Sequence, residues 1–174
     1  SIGEDGSDNI QINTVSNGGG NFNFMLTAPT GSIILANNAI NSIGAGNVNL
    51  TSSLGSINDS GTAVAITTTG TLTLSAATGI GTTTPLNTAV SNIGLSVTSG
   101  NIDVRNTGAL TITGFSNSGT GSTTIKAGSP VTVMTNIIQA GTIDLEATED
   151  AGAIDGDKLT GNANIIVRST AGDV

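Results

Sequence analysis

The sequence predicts an all-β protein built as a right-handed parallel β-helix (a β-solenoid) of about eight coils, with little or no helix. Three observations predict it: a short glycine-led phrase repeated along the chain, a 24-residue spacing between several copies, and a shortage of bulky aromatic residues. The coil number assumes roughly 22 residues per coil, which lies in the range typical of solenoid repeats.

The repeated phrase is clearest in residues 70–74, which read Gly-Thr-Leu-Thr-Leu. Apolar side chains alternate with small polar ones, as in a strand with one buried face. β-Branched Thr, Val and Ile dominate these segments, and no long apolar stripe of helical period interrupts them. The other copies are residues 10–12, 20–24, 31–33, 46–50, 55–57, 63–66, 79–81, 85–86, 93–95, 100–104, 108–112, 123–125, 130–133, 141–145, 152–154 and 163–167.

Glycines mark the period of this pattern. Gly46, Gly70 and Gly94 recur every 24 residues, as do Gly55 and Gly79, and the spacing shortens to 20 residues in the C-terminal part. A single coil cannot bury its own apolar face, so a fixed period of this length predicts coils stacked on their neighbours.

The core of such a fold is thin. The 174 residues include 25 glycines but only 3 Phe and no Trp or Tyr, so Val, Ile and Leu must fill the interior. A pair of β-sandwich modules is the alternative architecture, because short strands at regular spacing also suit it. The 24-residue period and the missing aromatics favour the solenoid.

A longer internal similarity relates residues 46–59 to residues 141–156 at an offset of 95 to 97 residues. A solenoid also needs a polar cap at each end, and no capping helix is recognisable in the sequence. We therefore expect residues 1–174 to be a single β-solenoid segment, an excerpt of a longer tandem array. No stretch is long and apolar enough for membrane insertion.

The net charge of the chain limits the kinds of partner that it can bind. Four Lys and Arg residues oppose 12 Asp and Glu residues, giving a net charge of −8, which repels nucleic acid. Charged residues make up only 9% of the chain, so Thr, Ser, Asn and Gly must cover most of the surface. The absence of cysteine excludes disulfides and thiolate metal sites.

The candidates for enzyme chemistry are Asp103, Asp144, Arg105, Lys126 and Arg168, the groups that a polysaccharide-active β-helix would need on one face. The chain has no His, Cys or Tyr, so several of the usual general bases and nucleophiles are missing. An outward Asp on a strand is ordinarily a solvated surface residue. We expect no enzyme, no catalytic residues and no cofactor.

Two acidic clusters raise the alternative of a calcium-dependent adhesin module. One spans residues 4–8, and the other comprises Glu146, Glu149, Asp150, Asp155 and Asp157. Calcium prefers six to eight oxygen ligands, but neither cluster has the spacing of an EF-hand or of a calcium-binding nonapeptide repeat. We assign no metal-binding residue. A glycan-binding module also stays open, although the aromatic platform common in such sites is missing.

Residues 80–81, 85–86, Leu95, 100–104 and 108–112 resemble the repeats of filamentous-haemagglutinin-like giant bacterial surface proteins. The resemblance implies a right-handed β-helix that is secreted and projects from the bacterial cell surface. The secretion module of that family has no counterpart in this sequence, and none of its binding residues can be carried over. We expect a non-catalytic structural or adhesive shaft or filament segment, whose partners are further copies of itself end to end or host, cell-surface or matrix molecules.

Overall fold

The computed structural model describes residues 2–4, 8–16, 20–41, 44–128, 130–147, 159–161 and 165–169. In these ranges the chain forms a parallel β-solenoid of strands and turns without helix, which confirms the predicted fold class. The strands are β1 (Ile2–Glu4), β2 (Ile10–Ile12), β3 (Phe24–Ala28), β4 (Ile33–Leu35), β5 (Val48–Ser52), β6 (Ile57–Asp59), β7 (Ile66–Ala76), β8 (Leu86–Val97), β9 (Ile102–Asn106), β10 (Leu110–Asn117), β11 (Thr123–Ala127), β12 (Val131–Val133), β13 (Ile137–Gln139), β14 (Ile143–Ala147), β15 (Leu159–Gly161) and β16 (Ile165–Ser169).

The first face of the solenoid consists of β2, β4, β6, β9, β11, β14 and β16. Its strands pair in parallel, and Ile80 bridges β6 to β9 through isolated pairings. Equivalent positions therefore stack into one column, which we call the isoleucine column. Its members are Ile10, Ile33, Ile57, Ile80, Ile102, Thr123, Ile143 and Ile165.

Over the described residues the solenoid makes about six turns, fewer than the eight coils expected for the whole chain. The expected number divided all 174 residues by one coil length, and β1 does not begin a coil. It runs back antiparallel to β2, with Ile2 opposite Ile12. Coil length also varies along the isoleucine column, from 24 residues between Ile33 and Ile57 to 20 between Thr123 and Ile143.

The second face is formed by β3, β5 and the C-terminal parts of β7, β8 and β10. Its inner side carries two apolar columns. One contains Phe24, Val48, Leu72, Ile93, Ile112 and Val133, and the other contains Leu26, Leu50, Leu74, Leu95 and Phe115. A third side is closed by Val15, Ile40 and Ile66, which pair through isolated bridges. The interior is aliphatic as expected, since Phe24 and Phe115 are only partly buried.

Glycines line the corner before the first face, where successive coils approach closely. A Cβ on Gly121 would overlap the carbonyl oxygen of Gly100, and one on Gly141 would overlap that of Gly121. Gly100 also has a positive φ of 95°, which strains other residues. These two constraints explain why the strand phrase opens on glycine.

Two predictions made from the sequence pattern are wrong. Gly70 and Gly94 are not equivalent: Gly94 pairs with Thr73 in mid-strand, because Thr71 pairs with Asn92 and that coil is shorter. The similar segments 46–59 and 141–156 are not at equivalent positions of the coil either, since β5 lies on the second face and β14 on the first. Both phrases are good strands, but their positions in the coil depend on the intervening turn lengths.

Candidate functional site

Charged side chains gather on the outer surface of the first face. On β9, β11 and β14 the apolar residues point inward, so the residues between them point outward. The pairing register stacks Asp103, Thr124 and Asp144 in one outer column, with Arg105 beside Asp103 on the same strand. Strands in register are about 4.8 Å apart, so these side chains from distant parts of the sequence become neighbours.

A second outer column contains Arg105, Lys126 and Glu146. Four of the five residues considered for enzyme chemistry therefore share one surface. The fifth, Arg168, pairs with Glu146 along the backbone, and its side chain lies outside the described residues.

Two ion pairs connect this surface. Lys126 Nζ lies 3.0 Å from Glu146 Oε2, and Arg105 Nε lies 3.9 Å from Asp103 Oδ1. All four side chains are partly exposed, so each pair contributes at most about 1 kcal/mol to folding. In this arrangement Glu146 is paired with a cation, whereas the sequence grouped it with other carboxylates.

The described residues contain no group of three or more His, Cys, Asp or Glu side chains that would hold a metal ion. Most members of the two acidic clusters belong to parts of the chain that the structure does not describe. Asp5, Glu149, Asp150, Asp155 and Asp157 lie outside the described residues.

A polar pocket of about 160 Å³ opens beside Asp103. It exists because the chain leaves the coil after Gly81 and returns at Leu86, which pairs with Val104. Gly81 has a φ of 66°, and a Cβ there would overlap the carbonyl oxygen of Asp103, so the departure point requires glycine. The pocket is lined by Gly81, Thr82, Asn101, Ile102, Asp103, Ser122 and Thr124.

The walls of this polar pocket are held by hydrogen bonds. Thr82 donates its backbone N–H and its hydroxyl to Asn58 Oδ1, at 3.0 and 2.9 Å. Asn101 Oδ1 accepts the backbone N–H of Ser122 at 2.9 Å. Each bond joins one coil to the next, so the pocket is part of the stacked framework.

Asp103 has an unsatisfied oxygen. Its Oδ1 is buried and makes no hydrogen bond, although the side chain as a whole is 31% exposed. Burial raises the pKa of this carboxyl above its ordinary value, and the nearby charges of Arg105 and Lys126 offset only part of that effect. A carboxylate short of donors can accept hydrogen bonds from a ligand.

The polar pocket could not be read from the sequence. Thr82, Asn101, Ser122 and Thr124 are ordinary surface residues there, and only the two coil lengths bring them together. The one local signal is the run Thr82-Thr83-Thr84-Pro85, because Pro85 interrupts the alternation between Gly81 and Leu86.

A second depression, of about 240 Å³, lies along the second face. Gly94 and Gly114 pair on adjacent rungs, so no side chains fill this place. The lining is mostly apolar and includes Leu95 and Phe115. It offers few polar atoms to orient a ligand.

The described part of the chain contains no helix with the length and apolar character needed to cross a membrane. No protein-family model, no curated protein and no solved structure matches the chain.

Proposed function

We propose that this chain is a structural or adhesive shaft segment of a large secreted or cell-surface bacterial protein, similar to filamentous-haemagglutinin-like proteins, and that it is not an enzyme. The observation that carries the proposal is the isoleucine column of the first face, which stacks in register from Ile10 to Ile165. A fold of this kind grows along one axis by adding coils, each of which contacts mainly its neighbours.

The surface supports the same proposal. Apart from the exposed Met25, the outer positions of the second face carry uncharged polar residues or glycine. Thr51, Ser75, Ser96 and Ser116 form one such column. Such a surface is well hydrated and lacks the charges that would attract other macromolecules. A spacer that holds an adhesive tip away from a cell needs length and few contacts along its sides.

The experiment is a length measurement. Proteins with one, two and three tandem copies of the chain would be purified and imaged by negative-stain electron microscopy. A shaft should lengthen by a constant increment per copy, about 30 Å for six turns at 4.8 Å per rung. Particles that bend at each junction or do not lengthen would contradict the proposal.

A polysaccharide-active enzyme is the second candidate, because Asp103 and Asp144 occupy the same outer column two rungs apart. Two rungs correspond to about 9.6 Å, close to the upper limit for the carboxylate pair of an inverting glycosidase. The test is the release of reducing ends from a polysaccharide panel, with Asp103→Asn and Asp144→Asn as controls. Activity that both variants abolish would replace the shaft proposal with this one.

A further inference from the structure

We propose that the polar pocket beside Asp103 binds one ring of a neutral carbohydrate through its hydroxyl groups. This inference goes beyond the shaft proposal and does not depend on it, since a spacer needs no ligand. It assigns a binding site to Thr82, Asn101, Asp103, Ser122 and Thr124, which line one pocket although they come from three successive coils.

The hydrogen-bonding groups of the pocket match a sugar. The carboxylate of Asp103 accepts hydrogen bonds. The Thr82 hydroxyl donates to Asn58, so it can only accept from a ligand, whereas the hydroxyls of Ser122 and Thr124 can also donate. Asn101 uses its Oδ1 on the backbone N–H of Ser122, so its amide NH₂ is the group that it presents to a ligand. A ring with several hydroxyls can use these donors and acceptors together.

The partial burial of Asp103 is the second observation. Its Oδ1 is shielded from solvent and makes no hydrogen bond, so the 31% of the side chain that is exposed, and that a ligand hydroxyl can reach, lies at its other atoms. Arg105 Nε is 3.9 Å from Oδ1, too far for a hydrogen bond. Burial raises the pKa of Asp103, as expected for a carboxyl that is partly removed from water.

The charges around the pocket favour a neutral ligand. Arg105 and Lys126 lie beside Asp103 and partly neutralise it, so a divalent cation would meet two positive charges. Calcium would also need more oxygen ligands than one carboxylate and a few hydroxyls supply easily. An anion would meet the carboxylate itself.

The size and rigidity of the pocket set the expected strength of binding. Its volume of about 160 Å³ suits a single ring, since sites for drug-sized ligands begin near 300 Å³. The bonds from Thr82 to Asn58 hold one wall in place before a ligand arrives, which lowers the ordering cost. We expect dissociation constants in the millimolar range, so that avidity across many copies would be needed for firm attachment.

The experiment is an NMR titration of the isotopically labelled full chain with the methyl glycosides of glucose, galactose and mannose, and separately with calcium chloride. At least one glycoside should shift the amide signals of Thr82, Asp103 and Thr124 in a saturable way. Asp103→Ala should weaken that binding at least tenfold, and Thr124→Val severalfold. Asn49→Ala, on the outer side of the second face and away from the pocket, should bind like the parent chain.

Three results would overturn the inference. The first is the absence of saturable shifts with all three glycosides. The second is an equal response in the parent chain and in both pocket variants, with the unchanged signals of the isoleucine column proving that the variants are folded. The third is a set of saturable shifts in the pocket signals when calcium chloride is added and none when a glycoside is added.

Discussion

The side-chain oxygen of Asn47 accepts a hydrogen bond from the backbone N–H of Thr71, at 2.9 Å and 24 residues further along the chain. The contact recurs at other corners, where an Asn oxygen receives a backbone N–H of the following coil. The further pairs are Asn9 with Ser32, Asn21 with Ala45, Asn23 with Asn47, Asn37 with Ala63, Asn58 with Thr82 and Asn101 with Ser122. Asparagine thus joins coils where strand pairing is interrupted, and backbone groups need such partners.

Asn47→Ala should lower the free energy of unfolding by about 1 kcal/mol, because the N–H of Thr71 loses its protein acceptor. The matched control is Asn49→Ala on the same strand, which removes an outward side chain that has no such corner contact among the described residues and should cost less than about 0.5 kcal/mol. Urea unfolding of both variants measures the difference. Equal losses would show that the corner bond contributes nothing.

Gly121→Ala should destabilise the chain by at least about 1 to 3 kcal/mol, because the new Cβ would overlap the carbonyl oxygen of Gly100 and push two coils apart. The control variant is Gly94→Ala, which should change the free energy of unfolding in the opposite direction. Its Cβ would meet only Thr73, at 3.8 Å, so the lower entropy of the unfolded chain should stabilise it by about 0.4 to 1 kcal/mol. Thermal unfolding should separate the two variants, and similar melting temperatures would contradict the prediction.

Asn106→Ala should cost about 2 to 4 kcal/mol, because this buried amide serves several groups at one corner. Its Oδ1 accepts from the Thr88 hydroxyl and the Val90 N–H, both at 2.9 Å, and its Nδ2 donates to the Val90 carbonyl at 3.1 Å. The exposed Asn101→Ala should cost about 1 kcal/mol or less. Chemical unfolding measures both, and a loss at Asn106 no larger than at Asn101 would be inconsistent with a bridging role.

Asp103→Asn should make the chain more stable near neutral pH, with the gain fading in acid. Burial raises the folded pKa of Asp103 above its ordinary value of 3.8 despite Arg105 and Lys126, so the folded state binds the proton more tightly than the unfolded state. The parent is therefore penalised above the folded pKa, and the penalty disappears as pH falls below 3.8. Urea midpoints at about pH 7 and about pH 3 test this; a parent more stable than the variant at neutral pH would refute it.

Local patterns predicted the strands well. In residues 100–104 the alternation correctly places Ile102 and Val104 in the core and Asp103 outside, because a strand has a period of two whatever surrounds it. The glycine that opens each strand segment was equally predictable, since it lies at a corner where successive coils approach closely. The same rules failed for Gly94, whose surroundings depend on a coil shortened elsewhere.

The amino-acid sequence alone determined that this chain winds in stacked β coils with a thin aliphatic interior, because alternation and glycine corners act over a few neighbouring residues. Only the tertiary structure decided which outward residues meet. Asp103, Thr124 and Asp144 share a column because their coils have lengths of about 20 residues, and the polar pocket opens because residues 82–85 leave the coil. Contacts between coils depend on the summed lengths of all the turns between them, a quantity that no single stretch of sequence carries.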